Sequence, residues 1–442
     1  MARFTLRNLK DLGTLLTWSP KTIGGIEEAH IHRVRELAAH AYARVPHYRK
    51  LFDRAGFRPG EIRTMEDVRR LPVSTRPDLQ DLPAAEVVAA GLDPSDLPGR
   101  RTSGSTGRPL TVRKSGAERA IYNLQHWRTH RSFGTGGRER RTTIGLVHAP
   151  LPGTRVRSLY RKFGLFRMEH INVLAPTAEI VRALRETRPD IVICPSSQAA
   201  WIAGELTDED RRYIRPRLVL TWGETVAPEL RGRIGEGFRA RTVDYYASHE
   251  LRSIAVQCPE SEYYHVFDES VMVEVFKDGR PAGCGEEGEL VGTALWSWAM
   301  PFIRYQIGDV VEVGPAPCPC GAICHTIKGI NGRVMDRIPL PEGGTVHPYT
   351  ITGPLVQDLR WIRRFQFIQE STGGLLLKIV GDRELRQEDA DEVERRVGEL
   401  IPEGLALRVE IADEIPPSPT GKYYPYVSLE RWRNWSKGKD PL

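Results

Sequence analysis

Ile31, Val34, Leu37, Ala38, Ala41 and Val45 recur at three- and four-residue intervals, which predicts an amphipathic helix closed by Pro46. Leu51, Phe52 and Phe57 carry apolar material into a polar, proline-rich connection. Further along, short β-branched runs alternate with helical patterns. Ile191-Val192-Ile193 and Leu218-Val219-Leu220 read as buried strands, and Ile180 to Thr187 as an amphipathic helix. That alternation predicts α/β layering. Val271 to Phe276 and Glu289 to Leu295 read as antiparallel strands of the same large domain.

The pattern changes after Gly332-Arg333. Phe365 to Ile368 and Leu375 to Val380 are joined by Ser371-Thr372-Gly373-Gly374, a hairpin signal. A helix with Ala390, Val393, Val397, Leu400 and Ile401 on one face follows, then a strand from Leu405 to Ile411. Strand, strand, helix, strand makes a small α+β unit. The expected organisation is a large layered α/β domain, 1–333, and a small mobile α+β lid, 334–442. Lys422 falls on a Pro/Gly loop of that lid.

A chain of 442 residues is long enough for both cores. The balance of 63 basic against 57 acidic residues gives a net charge of +6, which suits anionic substrates without indicating nucleic-acid binding. No run of about 18 apolar residues occurs, so no membrane span is expected. Met1 to Lys10 is charged and lacks an apolar stretch, so no secretory signal is expected either, and the expected compartment is the cytoplasm.

The candidate chemistry starts at Thr102-Ser103-Gly104-Ser105-Thr106-Gly107-Arg108-Pro109. Glycines let backbone N–H groups approach an anion closely, and the hydroxyls add donors for phosphate oxygens. No Gly-Lys-Ser/Thr follows, so this is not the common P-loop. Alone, such a loop suits a mobile linker equally well. Four further motifs follow it: Tyr246-Ala247-Ser248-His249-Glu250, Tyr305-Gln306-Ile307-Gly308-Asp309, Gly332-Arg333-Val334-Met335-Asp336 and Pro416-Pro417-Ser418-Pro419-Thr420-Gly421-Lys422.

In order and spacing these five motifs resemble the adenylate-forming superfamily of acyl-CoA synthetases, peptide-synthetase adenylation domains and luciferases, and within it the phenylacetate-CoA ligase branch. The resemblance runs from Ala43-Arg44-Val45-Pro46 to Lys422. It implies a Mg·ATP-dependent ligase that activates an aromatic or other small carboxylic acid as an acyl adenylate and transfers it to CoA. It also implies roles. Thr102, Ser103, Gly104, Ser105, Thr106 and Gly107 hold the leaving pyrophosphate, and Glu250 holds Mg²⁺. Tyr246 stacks near adenine, with Gly223 and Glu224 as the other wall. Asp309 accepts from the ribose hydroxyls, and Arg333 complements the ribose and phosphate edge. Lys422 bridges the α-phosphate and the substrate carboxylate.

The chain departs from the pattern at Leu110, Ala247, His249 and Met335, which leaves Asp336 as the hinge candidate. The segment from Val334 to Pro348, with Leu340-Pro341-Glu342-Gly343-Gly344-Thr345-Val346-His347-Pro348, resembles the aryl-CoA ligases less than relatives in polysaccharide and secondary-metabolite clusters and deazaflavin-coenzyme adenylyltransferases. The acceptor could therefore be an amine, a carrier-protein thiol or another nucleophile. A non-catalytic nucleotide-binding relative is a further alternative, and a homodimer is possible. His148, Trp222 and Tyr245 are candidates for the acyl pocket.

Six cysteines occur, and disulfides are not expected in a cytosolic chain of this size. Cys258 and His265, with Cys318 and Cys320 some fifty residues on, would complete a tetrahedral structural zinc site, and some members of the branch carry a similar set. Cys324 and His325 are rival ligands. The C-terminal Trp432-Arg433-Asn434-Trp435-Ser436-Lys437 reads as a solvated terminus, with a membrane or partner contact as the alternative.

Overall fold

The computed structural model describes residues 6–101, 110–145, 167–173, 175–223, 228–333, 338–342, 345–346, 359, 361–381, 383–401, 404–415, 424 and 426–436. Thr102 to Gly107, His148, Glu224, Met335, Asp336 and Lys422 lie outside them, as does the side chain of Arg333. The described chain is mixed α/β, as expected, and falls into two compact units. One gathers the described residues of Met1–Gly104, Arg108–Gly136 and Tyr245–Gly332, and the other those of Gly137–Asp244 and Arg333–Leu442.

In the first unit the predicted helix runs Ile23–Arg44, opened by the Thr22 hydroxyl accepting from the Gly25 N–H at 3.1 Å. Pro46 does close it, because Val45 is extended, and the same proline starts the next helix, Pro46–Arg54. Val34, Leu37, Ala38, Ala41 and Val45 form one core with Tyr48, Phe52, Phe57, Tyr122 and Trp296. Beside it, strands are hydrogen-bonded in the order Arg280–Pro281, Val271–Lys277, Glu287–Ala294, Tyr305–Val313, Thr326–Arg333, Tyr264–Val266, Arg252–Gln257, with the last half of Arg241–Ser248 following. The two expected antiparallel strands are direct neighbours, Val271 opposite Ala294 and Phe276 opposite Glu289.

The second unit contains a parallel sheet ordered Met168–Asn172, Arg141–Gly145, Ile191–Pro195, Leu218–Trp222. Helices Thr177–Thr187, Ser196–Glu205 and Pro228–Phe238 alternate with these strands, and Ile180, Leu184, Ile202, Val192, Val219 and Phe238 share a core. Such βαβ units account for the continuous apolar runs in its strands.

The same unit holds a second sheet, ordered Ala406–Ile411, Gly374–Gly381, Ile362–Ser371, Tyr426–Val427, with helix Gln387–Gly398. The predicted hairpin pairs Phe367 with Leu377 and Ile368 with Leu376. Two expectations need correction here. The helix stops at Gly398, so Leu400 lies beyond it and is 38% exposed, while Ile401 still packs on the core. The C-terminal segment is also not simply a solvated end. Residues Leu429–Ser436 form a helix whose Trp432 packs on Ile368, Leu376 and Val427, with the Arg431 guanidinium 4.0 Å from the Tyr424 ring centroid.

Candidate active site

Strand Arg241–Ser248 turns at His249-Glu250 and returns as Arg252–Gln257, with Tyr246 opposite Ala255, Ser248 opposite Arg252 and a bulge after Tyr246. Successive strand residues face opposite sides. Tyr246 therefore turns to one face, where its hydroxyl donates to Asp309 Oδ2 at 2.5 Å. Tyr245 turns to the other, stacking on His126 with centroids 5.4 Å apart and donating to Ser253 Oγ. Asp309 follows Gly308, whose φ of 85° is a conformation that glycine adopts at little cost. Asp309 is buried, not a surface carboxylate.

Glu250, at the tip of the turn, is only 4% exposed. Its Oε1 accepts from Arg76 Nη2 at 3.3 Å and from the Tyr305 hydroxyl at 3.4 Å. Arg76 is carried there by a clip between segments. The Ser74 N–H donates to the Arg304 carbonyl at 3.1 Å, and the Gln306 N–H donates to the Ser74 carbonyl at 2.9 Å. The Asp78 carboxylate then caps Thr75, starting the short helix Arg76–Gln80. Burial, and next the Glu250 charge, push the Tyr305 phenol well above its ordinary range, so it stays a donor.

Lys114 reaches the same turn, its Nζ 3.5 Å from the Glu250 carbonyl oxygen. Burial drives this ammonium well below the ordinary lysine range, with the Arg252 charge adding to the effect and Glu118 and Glu250 opposing it. Glu118 is itself pushed up by burial, although it accepts from the Ser115 N–H at 2.5 Å and the Ala299 N–H at 2.7 Å. Tyr246, Asp309 and Glu250 are thus held by the same two segments, 241–250 and 305–309. Gly223 directly follows strand Leu218–Trp222 with φ of 86° in the other compact unit, and Arg333 ends strand Thr326–Arg333. Sequence reasoning missed Arg76, Lys114 and Tyr305 as neighbours of Glu250, and Glu118 beside Lys114. The one local signal was the Thr-x-x-Asp cap that fixes Arg76.

Elsewhere in the first unit the ligand atoms of Cys258, His265, Cys318 and Cys320 all lie within 4.8 Å of one another. Cys318 Sγ is 4.0 Å from Cys258 Sγ, and Cys320 Sγ is 3.3 Å from His265 Nε2. A tetrahedron with Zn–S bonds of about 2.3 Å needs sulfurs roughly 3.8 Å apart, so the donor set fits that ion. Burial pulls the His265 imidazole below its ordinary range, favouring the neutral form that ligates. The rival His325 is otherwise engaged, its Nδ1 2.8 Å from Asp268 Oδ1, and Cys324 is outside the four-atom group.

Comparison with known proteins finds relatives over most of the chain. Phenylacetate-coenzyme A ligase of Thermus thermophilus is 25% identical over 401 residues, covering 84% of this chain and 82% of the relative. The enzyme of the same name from Escherichia coli is 24% identical over 349 residues, covering 76% and 77%. This chain resembles the phenylacetate-CoA ligase branch. The fold is matched by a crystal structure of 2-hydroxyisobutyryl-CoA ligase in its postadenylation state with 2-HIB-AMP, at a TM-score of 0.75 and 22% identity, covering 93% of this chain and 92% of that one. Anthranilate CoA ligase AuaEII in complex with anthranoyl-AMP matches at a TM-score of 0.53 and 14% identity, covering 79% and 69%. Residues 338–428 match the family described as CapK C-terminal domain. Among the described residues no helix is long and apolar enough to cross a membrane.

Proposed function

We propose that this protein is an ATP-dependent, AMP-forming acid–CoA ligase. The observation that carries the reading is the joint burial of Tyr246, Asp309 and Glu250 on two adjoining segments, in a chain similar to phenylacetate-CoA ligases over four-fifths of its length. A carboxylate oxygen of the substrate attacks the α-phosphorus of ATP, and pyrophosphate leaves. The CoA sulfur then attacks the acyl carbon, releasing AMP and a proton. Much of the enzyme's task is to position the reactants and stabilise charge growing on phosphoryl oxygens. CoA is favoured over an amine, a carrier-protein thiol or adenylyl transfer, because the curated relatives are CoA ligases.

In this reading Asp309 orients the ribose, and Tyr246 both steadies Asp309 and offers its ring to adenine. Glu250 presents Oε2, which neither Arg76 nor Tyr305 occupies, to Mg²⁺. A single carboxylate completed by phosphate oxygens is a donor set that Mg²⁺ accepts. The Thr102–Gly107 loop, Gly223, Glu224, Arg333 and Lys422 take the roles that the resemblance implies, with 334–442 as the lid. Cys258, His265, Cys318 and Cys320 would hold a structural Zn²⁺, which with four protein ligands keeps no open position for catalysis. A cytoplasmic location, where ATP and CoA are supplied, completes the proposal.

The test is pyrophosphate release across a panel of carboxylic acids, with and without CoA. Release should require an acid, and added CoA should consume the acyl adenylate to give a thioester. Asp309→Ala should raise the KM for ATP by about tenfold or more, as expected for losing a buried hydrogen-bond acceptor. Acid-independent release, or an acyl adenylate that persists with CoA but is consumed by an amine, would overturn the assignment.

A further inference from the structure

Two basic side chains in the first unit face one tyrosine ring. Lys114 Nζ lies 4.7 Å from the Tyr122 ring centroid, and the Arg252 guanidinium carbon lies 5.0 Å from the same centroid. Lys114 has compensation nearby in Glu118 and the Glu250 carbonyl, and the Glu250 carboxylate is engaged by Arg76. Among the described residues no Asp or Glu pairs with Arg252: Tyr122 and Tyr245 favour its charge, and Arg100 and Arg119, both positive, oppose it. Its φ of 67° is left-handed, a costly conformation for a non-glycine residue and one that tends to mark functional positions.

Position narrows the choice of ligand. The hairpin sets Arg252 opposite Ser248, two residues past Glu250. Its aromatic neighbours are Tyr122 and Tyr245, and Tyr245 faces away from the Tyr246–Asp309 pair that serves the nucleotide sugar. A guanidinium stacked on an aromatic ring is held ready for a planar, two-oxygen anion, and in a half-buried site that attraction is poorly screened. We propose that Arg252, with Lys114 beside it, binds a second anionic group of the acid substrate. The ligase then prefers acids that carry a carboxylate, phosphonate or phosphate besides the carboxylate it activates. This rests on the ligase reading above.

Matched acids decide it: succinate against butyrate, glutarate against pentanoate, terephthalate against toluate, phosphonoacetate against propionate. With the full-length protein, kcat/KM for acid-dependent pyrophosphate release should favour the doubly anionic member by about 10- to 100-fold, the range of one charge-assisted contact. Arg252→Gln should erase that preference while changing the KM for ATP by less than about twofold, and Arg252→Lys should restore part of it. If Arg252→Gln does not fold, the preference of the unmodified protein still decides. A parent enzyme that favours the singly charged acids overturns the proposal. So does an Arg252→Gln variant that loses affinity for ATP but keeps its acid preference, since the anion is then the polyphosphate. Absence of release with every acid would instead remove the ligase reading, and this inference with it.

Discussion

At the scale of single residues, burial sets the protonation of groups that composition leaves anonymous. Glu269 is half-buried with its carboxyl near Tyr245, while its carbonyl accepts from Trp296 Nε1 at 2.8 Å. Burial pushes that carboxyl from its ordinary value of 4.5 to about 7, with Asp268 adding to the shift and Arg128 opposing it. The folded state therefore binds this proton more tightly than the unfolded chain does. The stability it contributes is complete below 4.5 and is lost as pH rises from there to about 7. Glu269→Gln, which cannot ionise, should gain thermal midpoint relative to the parent between about pH 5 and about pH 8. A midpoint difference that stays constant across that range would show that Glu269 titrates normally. Motif order singled out Tyr246, Asp309 and Glu250, and the fold does bury all three, with Tyr246 bonded to Asp309 and Tyr305 to Glu250. Arg76, Lys114 and Arg252 were not singled out, since an arginine's importance here depends on which carboxylate is near it, and that is decided by pairings such as Ser74 with Tyr305 across more than two hundred residues.

At the scale of elements, hydrophobic period was enough for the parallel strands Ile191–Pro195 and Leu218–Trp222, for helix Thr177–Thr187 and for the 365–380 hairpin. Boundaries failed where tertiary contact decides them, as at Leu400. The tail was missed for another reason. Its helix Leu429–Ser436 has too few apolar positions to announce itself, and it gains order from the two-residue strand Tyr426–Val427, which pairs in parallel with Phe367 and Ile368. Trp432 is the anchor of that helix, on Ile368, Leu376 and Val427. Trp432→Ala should destabilise the protein by about 2–4 kcal/mol, within the range for removing a large packed side chain. Denaturant unfolding measures this, and a loss under about half a kcal/mol would mean the tail is only laid on the surface.

For the whole molecule, the Cys258–His265–Cys318–Cys320 cluster has a reach that its own geometry does not suggest. Cys258 and Cys318 are 60 positions apart. The chain between them contains strands Val271–Lys277, Glu287–Ala294 and Tyr305–Val313, and so includes Tyr305 and Asp309. A metal joining the two ends acts as a cross-link, and closing a loop of that length removes on the order of 4 kcal/mol of chain entropy from the unfolded ensemble. Protein purified without added metal should contain about one zinc per chain, and Cys318→Ser/Cys320→Ser should lose it together with several degrees of thermal midpoint. Absence of zinc, or retention of it in the double variant, would remove the site. The loop ends also work as a tether: if the clasp opens, the strand that carries Asp309, the proposed acceptor for the ribose hydroxyls, has a longer free chain on its far side. Stripping the metal should thus loosen the grip on ATP while leaving the choice among acids untouched, so that a site with no chemistry of its own behaves as an affinity control for the nucleotide.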